Sequence, residues 1–297
     1  MLAILLALLA GAGFGGSTIF ARVSMQKLAP MPTILISVVV SAIPAMVLAV
    51  IFARGDIRAA PAAAFLWFVL LGAVNFLGGR TQNYQAINRI GASQASTILA
   101  TSAVFATIFA MAIAGERPHF LVPLGTAGVV LGLAVSTGET IRHGWATNRR
   151  ALFGYVLAFG AAASYGGTNV LAKELTHDYG SPLMISGFSL LFGIFLLAPV
   201  AGKSTVDGLR ALGGDRGTVA FAALSGFSSA IAVIALYYAL QREDVVVVSP
   251  ITAAYPLMVL LIVRMFLSQL ERITKEVVAG AFLTILGIIV VIVGSTL

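Results

Sequence analysis

The chain has 297 residues, 59% of them hydrophobic and 10% charged, with a mean hydropathy of +1.02. Soluble proteins are usually about a quarter charged, so this composition excludes a soluble globular protein and predicts an integral membrane protein. The net charge of +7 comes without the interleaved aromatic and basic residues of a nucleic-acid-binding protein, and the absence of cysteine excludes disulfides and thiolate metal sites.

Ten apolar segments follow one another along the chain, and each is long enough to cross a bilayer, which takes about 20 mostly apolar residues. Every backbone amide inside lipid needs an internal partner, so these segments are predicted to be helices. The strands of a membrane barrel would alternate between apolar and polar residues, and these segments do not. The predicted helices cover residues 2–22, 33–53, 65–85, 94–114, 120–138, 152–172, 183–202, 218–240, 246–268 and 277–296.

The gaps between the predicted helices are short, and the two longest are Glu139–Arg150 and Gly202–Gly217. The first of these gaps divides the chain into two halves of similar length. We therefore predict a five-helix repeat over residues 1–138, a connecting loop over 139–151 and a second five-helix repeat over 152–297.

Two motifs occur once in each half, in the same order. Phe14–Arg22 and Tyr165–Lys173 both read aromatic, Gly, Gly, hydroxyl residue, three variable residues, Ala and a base. The segment Glu116–Gly132 shares its Glu-Arg pair and two spaced glycines with Glu271–Gly287, at one constant offset. Such self-similarity predicts an internal duplication. Because five is odd, the second repeat is inverted relative to the first, and a cavity is expected between them near the bilayer midplane.

The repeated motifs resemble those of the drug/metabolite transporter superfamily, in its ten-helix EamA-type branch, over nearly the whole chain. A third motif pair, Tyr84–Ala86 and Tyr237–Ala239, closes predicted helices 3 and 8. The resemblance implies a multi-pass transporter of the inner cell membrane that moves small metabolites, such as aromatic amino acids or related compounds, often as an exporter. The sequence departs from the family pattern at Thr101, which stands about where helix 9 has Pro256, and at Arg80.

We expect a central cavity lined by predicted helices 1, 3, 4, 6, 8 and 9. Small residues let helices approach closely, so the paired glycines favour packing, whereas the hydroxyl and amide groups after them either bond across helices or line the cavity. The Tyr255-Pro256 step removes a helical hydrogen bond and is either a tolerated kink or a hinge beside an aromatic wall. The candidate substrate-binding residues are Ser17, Thr18, Asn75, Arg80, Gln82, Thr101, Tyr165, Thr168, Asn169, Ser228, Ser229 and Tyr255.

Arg80 is the most specific candidate, because a charged residue deep in a spanning helix costs about 2.5–3.5 kcal/mol and commonly marks a functional site. As a functional residue it would clamp a carboxylate or another anion with its planar guanidinium. Alternatively, it lies only about 9 Å from the end of helix 3 and extends to the lipid headgroups. At about 100° per residue of an α-helix, Arg80 lies about 140° from Asn75, so no single face holds all the polar residues of helix 3.

The carboxylates of the repeated motifs and the three histidines lie at helix ends or in loops, where neither catalysis nor metal binding is expected. Glu116 and Glu271 end predicted helices, and we expect each to pair with the arginine that follows it or to cap the next helix. The histidines His119, His143 and His177 have no partner at metal-ligand spacing. A membrane-depth catalytic base and a phosphate-binding loop are both lacking. We therefore expect no catalytic residue, no metal and no cofactor.

The function favoured by these observations is secondary transport of a small polar or amphipathic molecule by alternating access, with export as the expected direction. The expected partners are the small-molecule substrate and the lipid bilayer, without nucleic acid, and the expected state is a monomer. A multi-pass membrane enzyme or a non-transporting scaffold is the alternative. A channel is disfavoured, because a selective pore needs a ring of like charges or exposed carbonyl groups, which a monomer with one Arg80 does not supply. The orientation stays open: basic residues favour loops after odd-numbered helices, which places the termini outside, whereas the family resemblance places them inside.

Overall fold

The computed structural model describes residues 1–136, 149–257 and 275–297, and all regular structure in these ranges is helical. Ten long helices correspond to the ten predicted segments, and a short helix at Arg54–Ala59 replaces a predicted loop. The long helices are α1 Leu2–Ser24, α2 Pro30–Phe52, α3 Ala62–Ile90, α4 Gln94–Ala114, α5 Leu121–Ser136, α6 Arg149–Tyr179, α7 Pro182–Ala211, α8 Arg216–Leu240, α9 Val245–Leu257 and α10 Lys275–Ser295.

Helices α6 and α7 run furthest beyond the apolar segments predicted from the sequence. Helix α7 continues to Ala211, so most of the predicted gap Gly202–Gly217 is helix rather than loop, and α6 continues to Tyr179. An apolar run marks only the part of a helix that lies in lipid, and polar residues of good helix propensity extend the helix beyond it. The far end of the predicted segment 246–268 lies outside the described residues.

Helix α3 changes its winding near its middle. Its two ends are α-helical, whereas Ala73–Arg80 is a π-helix. The Thr81 N–H donates to the Phe76 carbonyl, five residues earlier, and the Thr81 hydroxyl donates to the same oxygen at 2.8 Å. Because a π-helix joins residues five apart, Asn75 and Arg80 come one above the other. The α-helical geometry assumed from the sequence had placed these two side chains on different faces.

The pairing of helices follows an inverted two-fold relation between the repeats. Helix α1 packs along α8, and the equivalent pair, α6 and α3, also packs together. Helix α2 packs along α7, and α5 along α10, so each of these pairs joins the same helix of both repeats. The ten-helix, two-repeat architecture predicted from the sequence is confirmed. Both chain ends lie on one side of the bundle, which is called the terminal face below.

Glycines bring α5 and α10 into backbone contact. A Cβ atom added at Gly125 would lie 2.7 Å from the Gly287 carbonyl oxygen, and one at Gly132 would lie 2.7 Å from the Gly280 carbonyl oxygen. The contacts are crossed, since the first glycine of one repeat meets the second glycine of the other. Small residues allow this close approach, which joins helices in lipid, where hydrophobic burial drives little association. The glycines repeated in the sequence therefore hold the two repeats together.

The outer surface of the bundle is apolar. Large apolar residues such as Leu66, Phe195 and Val200 are 74%, 62% and 61% exposed. Such a surface would promote association in water and is suited to contact with lipid. Within the described residues, six helices are long and apolar enough to cross a membrane, and α5, α9 and α10 contain shorter apolar stretches. The chain is a multi-pass membrane protein.

An ion pair ties the loop after α1 to the start of α8. Lys27 Nζ donates to the Asp215 carboxylate at 2.8 Å, and Asp215 caps α8 by accepting from the Thr218 N–H at 3.2 Å. These bonds, led by the one from Lys27, lower the pKa of Asp215 from 3.8 to about 2. A lowered carboxyl pKa contributes stability that is complete above the ordinary pKa and is lost as the pH falls through about 2.

We expect Asp215→Asn to lower the melting temperature of the purified protein slightly, because asparagine keeps the capping acceptor but loses the charge that Lys27 meets. The difference from wild type should be the same at about pH 5 and about pH 8, since Asp215 stays ionised throughout that range. Thermal unfolding at both pH values, with Lys27→Met as the matched partner variant, measures this difference. A difference that shrinks at the lower pH would contradict the lowered pKa.

Candidate functional site

A cavity lies between the two repeats, among the central parts of six helices. About 780 Å³ of space between atoms lies in it, a figure that includes open solvent. Helices α1, α3, α4, α6, α8 and α9 line it, and these are the six helices named from the sequence. The lining residues are Phe14, Ser17, Thr18, Asn75, Arg80, Asn83, Tyr84, Leu99, Ser102, Tyr165, Thr168, Asn169, Val233, Leu236, Tyr237, Ser249, Thr252, Ala253 and Tyr255.

The two repeats line the cavity with the same positions. Three positions of the Gly-Gly motif face it from both α1 and α6, and three positions at or just before the Tyr-x-Ala motif face it from both α3 and α8. An inverted duplication therefore built the cavity wall twice. The equivalent lining pairs are Phe14 and Tyr165, Ser17 and Thr168, Thr18 and Asn169, Arg80 and Val233, Asn83 and Leu236, and Tyr84 and Tyr237.

Helices α4 and α9 are both interrupted beside the cavity. Regular helix gives way to a turn at Ala100 and Thr101 in α4, and at Ala254 in α9. In α9 the nearby Pro256 has no amide hydrogen to donate, which accounts for the break. Interrupted helices at matching places in two repeats are typical of transporter binding sites, because the broken turns leave backbone groups available to a substrate.

Arg80 is buried beside the cavity instead of reaching the lipid headgroups. The residue is 5% exposed, and its guanidinium lies 5.3 Å from the centroid of the Phe76 ring. It donates to the Ser37 hydroxyl at 3.3 Å and also to the Ser229 hydroxyl. No carboxylate of the described ranges forms an ion pair with it. The geometry therefore does not fit the headgroup alternative.

Polar groups of the cavity wall bond across helices. The Ser225 hydroxyl of α8 donates to the Ser17 carbonyl at 2.9 Å, and its oxygen lies 3.0 Å from the Tyr84 hydroxyl oxygen. The Asn169 amide donates to the Ser249 hydroxyl at 2.9 Å, which joins α6 to α9. These bonds satisfy groups that would otherwise be costly at membrane depth and hold the wall residues in place.

The ring of Tyr165 packs on the bare backbone of Gly79, the neighbour of Arg80. A Cβ atom added at Gly79 would lie 2.5 Å from Tyr165 Cε1 and 2.8 Å from Cδ1. An aromatic ring held by its own packing cannot move aside cheaply. Because Gly79 has no side chain, the Tyr165 ring can lie against the backbone of α3. Gly79 therefore sets the position of this ring relative to the Arg80 guanidinium.

We expect Gly79→Ala to lower transport on the order of 10-fold, because a displacement of about 1 Å in a binding site is enough for such losses. The protein should still fold but with a lower melting temperature, because overpacking against the Tyr165 ring costs about 1–3 kcal/mol and exceeds the gain in helix propensity. Flux and melting temperature of the variant are compared with those of Gly202→Ala, whose added Cβ would meet no atom within 4 Å. Unchanged flux in Gly79→Ala would show that the Tyr165 position does not matter.

The structure brings eight of the twelve predicted substrate-binding residues together in this lining. They come from α1, α3, α6 and α9, and they include Asn75 and Arg80, which the π-helix in α3 brings to one face. The eight are Ser17, Thr18, Asn75, Arg80, Tyr165, Thr168, Asn169 and Tyr255.

Two of the other four predicted residues lie on α8, outside the lining. Ser228 donates to the Gly13 carbonyl at 2.8 Å and thereby joins α8 to α1. Ser229 lies behind Arg80 and accepts a hydrogen bond from its guanidinium. Both hydroxyls thus support wall residues from behind, because the face of α8 that reaches the cavity carries Val233.

The remaining two predicted residues, Thr101 and Gln82, are also outside the lining. The Thr101 hydroxyl turns back to the Ile98 carbonyl at 2.6 Å, where it satisfies the interrupted turn of α4. The Gln82 side chain packs against Gly160 of α6, so it lies between two helices. The Thr101 hydroxyl thus bonds to the backbone of its own helix, whereas the Gln82 side chain is in contact with a neighbouring helix.

Several lining residues were missed from the sequence. The correspondence between the repeats could have predicted some of them. Tyr84 and Tyr237 belong to a repeated motif, which the sequence analysis used only to support the family resemblance. Applying the spacing of that pair to its neighbours would have added the residues before them. The lining residues not among the candidates are Phe14, Asn83, Tyr84, Leu99, Ser102, Val233, Leu236, Tyr237, Ser249, Thr252 and Ala253.

At the terminal face, side chains from both repeats hold the start of α9. The Glu116 carboxylate accepts from the Val245 N–H at 3.0 Å and the Val246 N–H at 3.1 Å. Lys173 donates to the Glu243 carbonyl at 2.9 Å. Burial raises the pKa of Glu116, and the two N–H donors oppose that shift. Glu116 therefore has a structural role, but it caps a helix of the other repeat instead of pairing with the arginine beside it.

The described residues contain no group of three or more His, Cys, Asp or Glu that could hold a metal ion. Two residues discussed from the sequence, His143 and Glu271, lie outside the described residues. The cavity lining itself is built from aromatic, aliphatic, hydroxyl and amide side chains and one guanidinium. This set can bind a small molecule through packing, hydrogen bonds and one positive charge.

Inverted repeats around a central cavity, with interrupted helices beside it, are typical of membrane transporters. The model of the EamA-like transporter family matches residues 1–138 and 152–293. The chain belongs to this family, which is part of the drug/metabolite transporter superfamily and whose members are transporters rather than enzymes.

A solved structure supports the same fold. A crystal structure described only as that of a protein is 16% identical in sequence and similar at a TM-score of 0.74, over 99% of this chain and 97% of that one. At this identity the likeness concerns the fold alone. No curated protein matches the chain.

Proposed function

We propose that the protein is a secondary transporter that exports a small metabolite, an amino acid or a related compound, across the inner cell membrane by alternating access. It acts as a monomer in the bilayer, and its substrate binds in the central cavity between the repeats. The observation that best supports the proposal is the symmetry of the cavity wall. Equivalent positions of α1 and α6, and of α3 and α8, face the same cavity. Two near-equivalent half-sites suit a carrier that exchanges which side is open.

The contacts at the terminal face support the same mechanism. Glu116 of the first repeat and Lys173 of the second hold the start of α9 with hydrogen bonds that can break and reform. Opening at this face would release them, while the interrupted turns of α4 and α9 absorb the change in backbone direction. The substrate-binding residues we propose are those of the twelve candidates that line the cavity, with Arg80 as the charged one.

Neither a channel nor an enzyme fits the cavity as well. A selective channel would present a ring of like charges or carbonyl groups along a pore, whereas this lining has a single charged residue, Arg80. An enzyme would need a general base, and the lining has no histidine, carboxylate or lysine.

The test is flux in proteoliposomes that contain the purified protein. Vesicles are loaded with single classes of unlabelled metabolite, and uptake of the labelled compound is followed. We expect saturable uptake that is accelerated by the same compound inside the vesicle, because a carrier returns faster when loaded. An absence of saturable flux for every metabolite class would contradict the proposal, and flux that rises linearly with concentration would indicate a channel instead.

A further inference from the structure

The cavity contains a positive charge that no described side chain neutralises. Arg80 belongs to the lining. Its partners are the Ser37 and Ser229 hydroxyls and the Phe76 ring, which lie outside the lining, and the Tyr165 hydroxyl within it. None of the lining residues is acidic. A buried charge without a counterion is costly in a membrane protein, and the cost is relieved when an opposite charge binds beside it. An anion in the cavity would supply that counterion.

Hydrogen-bond donors remain for such an anion. A guanidinium has five N–H donors in a planar fork, and the contacts with Ser37, Ser229 and Tyr165 use at most three of them. The fork matches a carboxylate, which it can bind through two parallel bonds. The Tyr237 hydroxyl is also buried in the lining; it lies near the Ser189 and Asn75 side chains, with no hydrogen bond of good geometry in the described part of the chain.

The two walls of the cavity differ in polarity. Helices α3 and α6 pack together and form one wall, and α1 and α8 pack together and form the other. At the equivalent positions of α3 and α8, Arg80 and Asn83 face Val233 and Leu236. The wall of α3 and α6 therefore carries the guanidinium and the amides, whereas the wall of α1 and α8 has no charge or amide. The second wall combines the apolar side chains of Phe14, Val233 and Leu236 with hydroxyl groups, which belong to Ser17, Thr18 and Tyr237. Such a site binds a molecule with one anionic end and one apolar side.

We propose that the cargo is an organic monoanion: a monocarboxylate with an apolar or aromatic body and no ammonium group. This inference rests on the proposed function and narrows it within the compounds related to amino acids. The carboxylate binds the guanidinium of Arg80, and the body lies along the wall of α1 and α8. A zwitterionic amino acid would bring an ammonium group for which the described lining offers no carboxylate, and burying it unpaired would cost binding energy.

Three ligands with the same body test this inference. The carboxylate 3-phenylpropionate, the zwitterion phenylalanine and the amine 2-phenylethylamine differ only in their charged groups. Each is added at equal concentration to the purified wild-type protein, to Arg80→Gln and to the matched control Arg89→Gln. Arg89 lies on the same helix but bonds to its own backbone at Gln85 and stacks on Phe153, outside the cavity. Thermal stabilisation reports binding, because a ligand that binds only the folded protein raises its melting temperature.

We expect 3-phenylpropionate to stabilise wild type and Arg89→Gln but not Arg80→Gln, and the other two ligands to stabilise none of the three. Stabilisation by phenylalanine or the amine equal to that by the carboxylate would overturn the inference, and so would no response to the carboxylate or a response that survives Arg80→Gln. Flux separates the two proposals. Saturable uptake of phenylalanine without binding of 3-phenylpropionate would contradict this inference but not the proposed transport function. An absence of saturable flux for every solute would contradict the proposed function itself.

Discussion

Replacing Arg80 with glutamine is expected to abolish transport while leaving the protein folded. A hydrogen bond to a charged group contributes about 1.5–3 kcal/mol, and each 1.4 kcal/mol is about tenfold in affinity. Loss of the guanidinium should therefore weaken substrate binding by roughly 10-fold to 100-fold at least. Because the buried charge has no described counterion, its removal should also leave the melting temperature of the substrate-free protein unchanged or higher.

The matched control is Arg89→Gln, which removes an arginine from the same helix outside the cavity. We expect normal flux in this variant, because the Arg89 guanidinium donates to the Gln85 carbonyl of its own helix at 2.9 Å. Flux in proteoliposomes and thermal unfolding in detergent are measured for both variants. Full activity of Arg80→Gln would assign Arg80 a structural role, and a large drop in its melting temperature would mean that the serine hydroxyls compensate the charge.

A leucine at Gly132 is expected to prevent the two repeats from assembling. The glycine faces the Gly280 carbonyl oxygen, and a Cβ atom there would already lie 2.7 Å from it. Overpacking of this kind costs about 1–3 kcal/mol and more when backbone must shift, and α5 would have to move away from α10 along their whole contact. We therefore expect little monodisperse protein after extraction in mild detergent.

Gly202→Leu is the control for that loss, since the Gly202 position in α7 has no atom within 4 Å of an added Cβ. Size-exclusion profiles and melting temperatures of the two variants are compared at equal expression. A normal profile and melting temperature for Gly132→Leu would show that α5 and α10 pack without need of the close glycine contact.

The sequence was sufficient for the fold because its strongest signals are local and repeated. Apolar runs mark spanning helices wherever lipid surrounds them, and the repeated motifs indicated the internal duplication. The ends of α6 and α7 were not predicted, since a helix that leaves the membrane loses its apolar signature while keeping its hydrogen bonds.

The cavity was harder to predict because side-chain direction depends on winding and on distant partners. The π-helix at Ala73–Arg80 aligns Asn75 with Arg80, and the α-helical angle used for the sequence cannot anticipate it. Whether Ser228 faces a cavity or the Gly13 carbonyl of another helix depends on contacts far apart in the chain. Polar residue types therefore indicated the right helices, and only the three-dimensional packing separated lining residues from supporting ones.

Dependence on distant contacts also explains why the role of Glu116 was not predicted. Its neighbours in the sequence suggested an ion pair with the following arginine or a cap on the next helix, whereas it caps α9 of the other repeat. A contact between the two repeats requires their relative placement, which no local pattern contains. The equivalent residue of the second repeat, Glu271, lies outside the described residues.

The most direct test of alternating access is a pair of distances, one at each face, measured by double electron–electron resonance with and without substrate. The chain has no cysteine, so spin labels can be placed without removing native residues. One pair, Arg117→Cys with Arg242→Cys, spans the repeats at the terminal face, and the other, Asn88→Cys with Arg216→Cys, spans them at the opposite face. The account predicts that substrate lengthens one distance and shortens the other. Two distances that stay fixed, or that change in the same direction, while the labelled protein still transports would contradict it.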